Sequence, residues 1–268
     1  MEAYYYGAFL EQAAHRMFGA LEIEKYRQPG GPFVISFTGG GGKTSLIRRL
    51  AWEGREQGLK VLVIPTTHMA FPEHFFVPEC SEEALEHALR DRGIAVTGKT
   101  EERKKGEKKI SFWGWEFYQK AREKADLVLV EADGAKRLPV KVPGPAEPVI
   151  PKDTDLILCV YGLKALGQKG EACCFRLEQA KILLKKTFGL EEEDRDWMMG
   201  EEIMASLMEQ RYLSPLKHSF PQARILPVLN QADTGELGLA GKRILEKIGN
   251  TEGLITGNLW DEPSFELF

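Results

Sequence analysis

Five short apolar runs punctuate the chain: Phe33–Phe37, Lys60–Ile64, Asp126–Val130, Asp155–Val160 and Ile225–Leu229. Each is rich in β-branched residues and continuous rather than alternating. That pattern predicts strands covered on both faces, because a strand with one wet face would alternate. Between the runs the spacing changes to a helical repeat. Over Thr44–Gln57, Leu46, Ile47, Leu50 and Ala51 share one face, while Arg48, Arg49 and Glu53 fall on the other. Ser81 is placed to cap a helix over Glu82–Arg92, with Gly93 as its stop. Trp115–Lys124, Leu177–Phe188, Glu201–Arg211 and Leu239–Ile248 predict further helices. Strands alternating with helices predict an α/β fold with a mostly parallel sheet flanked by helices.

Two stretches fall outside this alternation. Residues 1–29 predict one or two amphipathic helices, closed by the breaker Gln28-Pro29-Gly30-Gly31-Pro32. Lys99–Lys109 is dense in charge without apolar periodicity, which predicts a solvated loop or a mobile basic lid over an anionic ligand.

Composition narrows the partners. Of 268 residues, 43% are hydrophobic and 28% charged, which excludes wholesale disorder. A net charge of −4 offers no basic field for nucleic acid. No apolar run approaches the roughly eighteen residues of a membrane helix, so no membrane partner is expected. The first residues lack the basic start and apolar core of a signal peptide. Cys80, Cys159, Cys173 and Cys174 show no CxxC spacing. Neither a disulfide framework nor a cysteine zinc site is expected, and a cytoplasmic location is. His68 and His74 are too sparse to predict zinc.

The chemistry concentrates after the first apolar run. Phe33–Thr38 leads into Gly39, Gly40, Gly41 and Gly42, and then Lys43, Thr44 and Ser45 open a helix. Glycines let backbone N–H groups curl around phosphate oxygens, and a helix N-terminus adds partial positive charge. Lys43, expected as a charged loop residue outside the core, would reach the β- and γ-phosphates, and the Thr44 hydroxyl would join a Mg²⁺ shell. The spacing Gly39-x-x-Gly42-Lys43-Thr44 is a shortened loop like that of Mur-type ligases. The predicted organisation is an N-terminal helical segment (1–32) and a P-loop NTPase-like nucleotide-binding domain (33–268), with a weak internal boundary near 162–170.

A phosphate loop needs a carboxylate on a neighbouring strand. Glu131 and Asp133, two apart at the end of a predicted strand, would point the same way. Either could hold Mg²⁺ while the other orients a nucleophile; with Lys43 they are the candidate catalytic residues. Thr66 and Thr67 end another strand, where a hydroxyl could touch phosphate or metal. Asn230-Gln231-Ala232-Asp233 resembles the Asn-Lys-x-Asp guanine reader of GTPases, with Gln231 in place of lysine; Asn258-Leu-Trp-Asp261 repeats the spacing. The nucleotide is GTP or ATP. Lys136, Arg137 and Lys141 lie among Pro139, Pro143, Pro145, Pro148 and Pro151, a stiff cationic segment suited to an anionic second substrate.

Together, Thr38–Thr44, Pro65–His68, Glu131–Arg137, Pro139–Pro143, Glu147–Pro151 and Leu229–Asp233 resemble the YqeC family of selenium-dependent hydroxylase accessory proteins. The resemblance implies a role in maturing selenium-dependent molybdenum hydroxylases, at the stage of the selenium-containing cofactor. The readings that follow are a Mg²⁺-dependent nucleoside triphosphatase, a nucleotide-gated maturation chaperone, or a Mur-like ligase or kinase acting on a small anion.

Overall fold

The computed structural model describes residues 2–6, 12–14, 16–27, 30–102, 106–189, 197–249 and 252–257. Its strands are β1 (Glu2–Tyr6), β2 (Gln12–Ala14), β3 (Phe33–Gly39), β4 (Val61–Pro65), β5 (His68–Ala70), β6 (Phe76–Val77), β7 (Ile94–Thr97), β8 (Lys99–Glu102), β9 (Lys108–Ser111), β10 (Leu127–Glu131), β11 (Val140–Lys141), β12 (Leu156–Gly162), β13 (Cys174–Phe175), β14 (Arg224–Asn230) and β15 (Gly253–Gly257). Its α-helices are α1 (Met17–Ala20), α2 (Ile23–Tyr26), α3 (Lys43–Glu56), α4 (Glu82–Arg92), α5 (Trp115–Arg122), α6 (Gly170–Cys173), α7 (Leu177–Phe188), α8 (Glu201–Met208), α9 (Ser214–Ser219) and α10 (Gly235–Ile248).

Among the described residues, ten strands form one sheet in the order β2-β1-β15-β14-β12-β3-β10-β4-β7-β6. From β15 to β6 every pairing is parallel. The five apolar runs are the central strands, and successive residues pack on opposite faces. Ile35 and Phe37 join Leu46, Ile47 and Leu50 of α3 in one core; Val34, Val128 and Val130 join Tyr118, Leu184 and Tyr212 in the other. Ser81 Oγ accepts from the Ala84 N–H at 3.3 Å, and Gly93 ends α4 with φ 73°. Tyr161, Leu163, Ala165 and Cys173 share one core, so the packing continues across residues 162–170.

The structure departs from the sequence pattern at several elements. The segment 1–32 is not simply helical. β1 pairs antiparallel with β15, closing a sheet edge whose backbone groups would otherwise lack partners, and among the described residues of this segment α1 and α2 are short helices. α1 packs against the charged face of α3. Arg49 and Glu53 are buried, and Glu53 accepts from Arg49 Nε at 2.5 Å and the Phe18 N–H at 2.7 Å. The charged stretch near 99–109 forms β8 and β9, which pair antiparallel and join β5 in a small three-stranded sheet. The helix expected over Glu201–Arg211 turns into a π-helix at Glu209–Leu213. Asn258 and Asp261 lie outside the described residues.

Candidate functional site

The carboxyl ends of β3, β10, β12 and β14 lie together because these strands run parallel, and open α/β sheets bind ligands at that edge. β3 runs into the glycine turn, and α3 leaves it. Gly39, Gly41 and Gly42 have φ of 96°, 68° and 99°, conformations that side chains rarely adopt. The turn is also packed from behind. A Cβ on Gly39 would stand 2.2 Å from the Val160 carbonyl oxygen, and one on Gly41 2.1 Å from the Gly162 nitrogen. The Gly40 N–H donates to the Val160 carbonyl at 2.8 Å, and the Gly41 N–H to Leu138 at 3.1 Å. The inward N–H groups of the turn are thus partly committed to the protein. The first N–H groups of α3, as at any helix N-terminus, have no acceptor within the helix.

In front of the turn lies a cleft of about 390 Å³. Gly40, Gly41, Gly42, Lys43, Thr44 and Ser45 line it, with Arg48, Glu131 and Gln231. The cleft is also lined by His68, Lys109 and Glu107 from the small sheet and its approach, together with Lys136 and Arg137. Thr44 Oγ1 donates to Glu131 Oε2 at 3.0 Å, which sets a hydroxyl and a carboxylate side by side at the cleft. Burial raises the Glu131 pKa, and Lys43 and the Thr44 hydroxyl offset only part of that effect.

Asp133 does not follow Glu131 into the cleft. β10 ends at Glu131, so the two-residue strand period does not reach Asp133. Its carboxylate is fully enclosed. It accepts from Thr38 Oγ1 at 2.8 Å, the Gly39 N–H at 3.1 Å and the Tyr212 hydroxyl at 3.0 Å. Lys43 Nζ and Lys141 Nζ each stand 3.1 Å from one of its oxygens. Burial alone would raise its pKa, but Lys43, Lys141 and the hydrogen bonds outweigh burial and hold it below the ordinary value.

Two cations expected at the ligand are inside this cluster. Lys43 begins α3 only 4% exposed, and its Nζ donates to the Gly39 carbonyl at 2.6 Å. The reading of it as a loop residue outside the core is therefore corrected. Lys141 is wholly buried and is absent from the cleft wall; its Nζ lies 2.6 Å from Glu147 Oε2. A surface substrate cation is not what the fold makes of it. Glu147 in turn pairs with Arg176. Burial would raise the Glu147 pKa, but Arg176 and Lys141 lower it on balance.

The other expected residues separate likewise. Lys136 and Arg137 are exposed at consecutive left-handed positions, φ 50° and 63°. The Lys136 ammonium lies 4.8 Å from the Phe175 ring centroid, and Arg137 stands 3.9 Å from Glu107. Thr66 spends its hydroxyl on the Val149 carbonyl at 2.5 Å, and the Thr67 hydroxyl is buried without a partner among the described residues. Asn230 uses both ends of its amide within the protein. Its Nδ2 donates to the Gly41 carbonyl at 2.7 Å and its Oδ1 accepts from Thr256 at 2.8 Å. Asp233 stands 2.6 Å from Lys164 Nζ. Gln231 lines the cleft, while Asn230 and Asp233 make their contacts within the protein beside it. Tyr212, Arg176 and Arg48 are not legible in the sequence as site residues; Tyr212 meets Asp133 across 79 positions, and no local motif marks it.

Fold and site define an α/β protein whose strand–glycine turn–helix unit faces a cleft at the carboxyl edge of a mostly parallel sheet. The chain belongs to the YqeC family: the family model described as YqeC protein matches residues 35–178. It is 37% identical over 142 residues to the uncharacterized protein YqeC of Escherichia coli (strain K12), a match covering 52% of this chain and 55% of that protein. The chain thus spans about half the length of the curated relative it matches. The family match contains the glycine turn, Glu131, Asp133, Lys141, Glu147 and Arg176 and stops before Asn230.

Proposed function

We propose that this chain binds the phosphate tail of a purine nucleoside triphosphate with Mg²⁺ in the cleft before the glycine turn, and hydrolyses it. The observation that carries the reading is the Thr44–Glu131 pair beside left-handed glycines at the start of α3. It joins an anion-binding helix terminus to hard oxygen donors. Among the described residues no group of three His, Cys, Asp or Glu side chains could cage a metal. That suits Mg²⁺, which takes one or two protein oxygens and completes its shell with phosphate and water. Thr44 and Glu131 would hold it, and when bound it neutralises phosphate charge. Asp133 holds Lys43 and the Gly39 backbone rather than the metal. Gly40, Gly41, Gly42 and Ser45 would border the phosphates, and Lys109, Arg137 and Lys136, which line the same cleft, would supply positive charge. Thr66 and Thr67 brace the neighbouring strand end. The resemblance described above supports a place for this activity in the maturation of selenium-dependent molybdenum hydroxylases, as part of the same proposal.

Calorimetric titration of Mg·ATP and Mg·GTP into wild-type protein and Thr44→Val tests the binding. Wild type takes up one triphosphate with Mg²⁺-dependent affinity, and Thr44→Val loses most of that dependence. Phosphate release in the same samples reports turnover. Wild-type protein that binds neither triphosphate overturns the reading.

A further inference from the structure

Five charged side chains alternate in sign behind the glycine turn, from the buried Lys43, Asp133 and Lys141 out to the half-buried Glu147 and Arg176. The chain of contacts starts at the phosphate loop and ends beside β13, which pairs with β11. Lys43 is at once its first member and the loop's only lysine. Its Nζ is already occupied by the Gly39 carbonyl at 2.6 Å and Asp133 Oδ1 at 3.1 Å. To reach a phosphate it must give up part of that hold. Asp133 has no solvent to turn to, and an uncompensated buried carboxylate is strongly disfavoured. Lys43 is therefore free to serve phosphate only if something else keeps Asp133 satisfied.

We propose that Lys141 is a positioning residue for the phosphate loop, the counter-charge that holds Asp133 when the Lys43 ammonium turns to phosphate. The proposal rests on the phosphate-binding reading above and goes beyond it. Lys141 Nζ stands 3.1 Å from Oδ2, the oxygen that Lys43 does not take. Being wholly buried, it has no access to the cleft and acts only through Asp133. Thr38, Tyr212 and the Gly39 N–H add neutral donors to the same carboxylate, so Asp133 keeps one cation and three hydrogen bonds after Lys43 departs. Glu147 sets how much of Lys141 is available. At 2.6 Å it competes with Asp133 for the same ammonium, and Arg176 draws Glu147 the other way. The Tyr161 hydroxyl donates to the Lys141 carbonyl at 2.7 Å and fixes the backbone from which the lysine extends.

The roles of Lys141 and Glu147 give opposite signs, which a merely structural ion network would not. In Lys141→Met, Lys43 is the one cation left to Asp133 among the described residues. Triphosphate affinity then falls by about tenfold or more, the scale of one charged hydrogen bond. In Glu147→Gln, Lys141 passes wholly to Asp133 and Lys43 is loosened. Triphosphate affinity stays at the wild-type value or tightens, although the protein melts at a lower temperature. Lys141→Arg keeps the charge and retains most of the affinity. The experiment is titration of Mg·ATP, Mg·GTP and inorganic tripolyphosphate into wild type and the three variants, each paired with a melting curve. Wild-type affinity in folded Lys141→Met overturns the proposal, as does affinity in Glu147→Gln that drops together with melting temperature. Should Lys141→Met fail to fold, Glu147→Gln alone decides. Wild-type protein that binds none of the three probes overturns the phosphate reading and this proposal with it; wild-type binding with the wrong variant pattern overturns this proposal alone.

Discussion

Glu131 and Asp133 stand two residues apart and have opposite electrostatic circumstances. Burial raises the pKa of Glu131, which has one hydroxyl donor at hydrogen-bond distance and no ion pair among the described residues. Asp133 is surrounded by two ammonium groups and three donors, and its pKa is lowered despite burial. Neutralising each therefore has a different result. Asp133→Asn leaves Lys43 and Lys141 facing each other without their shared carboxylate, and stability falls by about 3–5 kcal/mol, the loss typical of one broken buried ion pair. Glu131→Gln removes a charge that burial already disfavours, so stability changes by no more than about 1 kcal/mol. Its effect appears instead as lost Mg²⁺ dependence of triphosphate binding. Urea unfolding of both variants, with metal titrations on the folded ones, checks the contrast. Equal destabilisation by the two substitutions would contradict this division of roles.

At the scale of elements, the glycine turn is clamped from the ends of neighbouring strands. β12 receives its Gly40 N–H through Val160, the segment before β11 receives its Gly41 N–H through Leu138, and β14 holds the Gly41 carbonyl through Asn230. Asn230 also receives the Thr256 hydroxyl, which ties the turn to β15. Asn230→Ala leaves the Gly41 carbonyl and the Thr256 hydroxyl without that partner in a buried setting, at a cost of about 1–3 kcal/mol. Because the turn loosens as a unit, affinity for Mg·ATP and Mg·GTP falls in parallel. Competition titrations with both nucleotides measure this. A loss confined to GTP would mean that Asn230 reads the base after all.

Over the whole molecule, the alternating ion network couples stability to pH. Glu147 has a lowered pKa in the folded protein, so its stabilising contribution is complete above its unfolded value. It is lost as the pH falls through the lower folded value, below the ordinary glutamate range near about 4.3. Glu147→Gln therefore differs from wild type most near neutrality, and the two converge as acid protonates the wild-type carboxylate. Denaturation curves at a series of pH values test this. A difference that stays constant down to low pH would show that Glu147 contributes through packing instead of charge.

Patterning alone determined the central strands, the helices over Leu177–Phe188 and Glu82–Arg92, and the glycine turn with its following helix. These depend on local signals: buried runs, caps, and glycines ahead of Lys43 and Thr44. Fewer local signals marked β1 and β15, whose pairing is settled by the other's backbone groups at the sheet edge. Nor could periodicity show that Arg49 and Glu53 are covered, since the cover comes from α1, more than twenty residues away. The chemistry divides along the same line. Residue types and spacing located Lys43, Thr44, Glu131 and Asp133, but burial and distance assigned Glu131 to the cleft and Asp133 to the interior. Lys141 carries the plainest instance: in the sequence it is a cation in a proline-rich stretch, and only packing against Asp133 and Glu147 encloses it. Local sequence specifies a strand or a turn because those depend on neighbours within a few residues. It cannot specify which charges meet, because that depends on contacts between segments far apart in the chain.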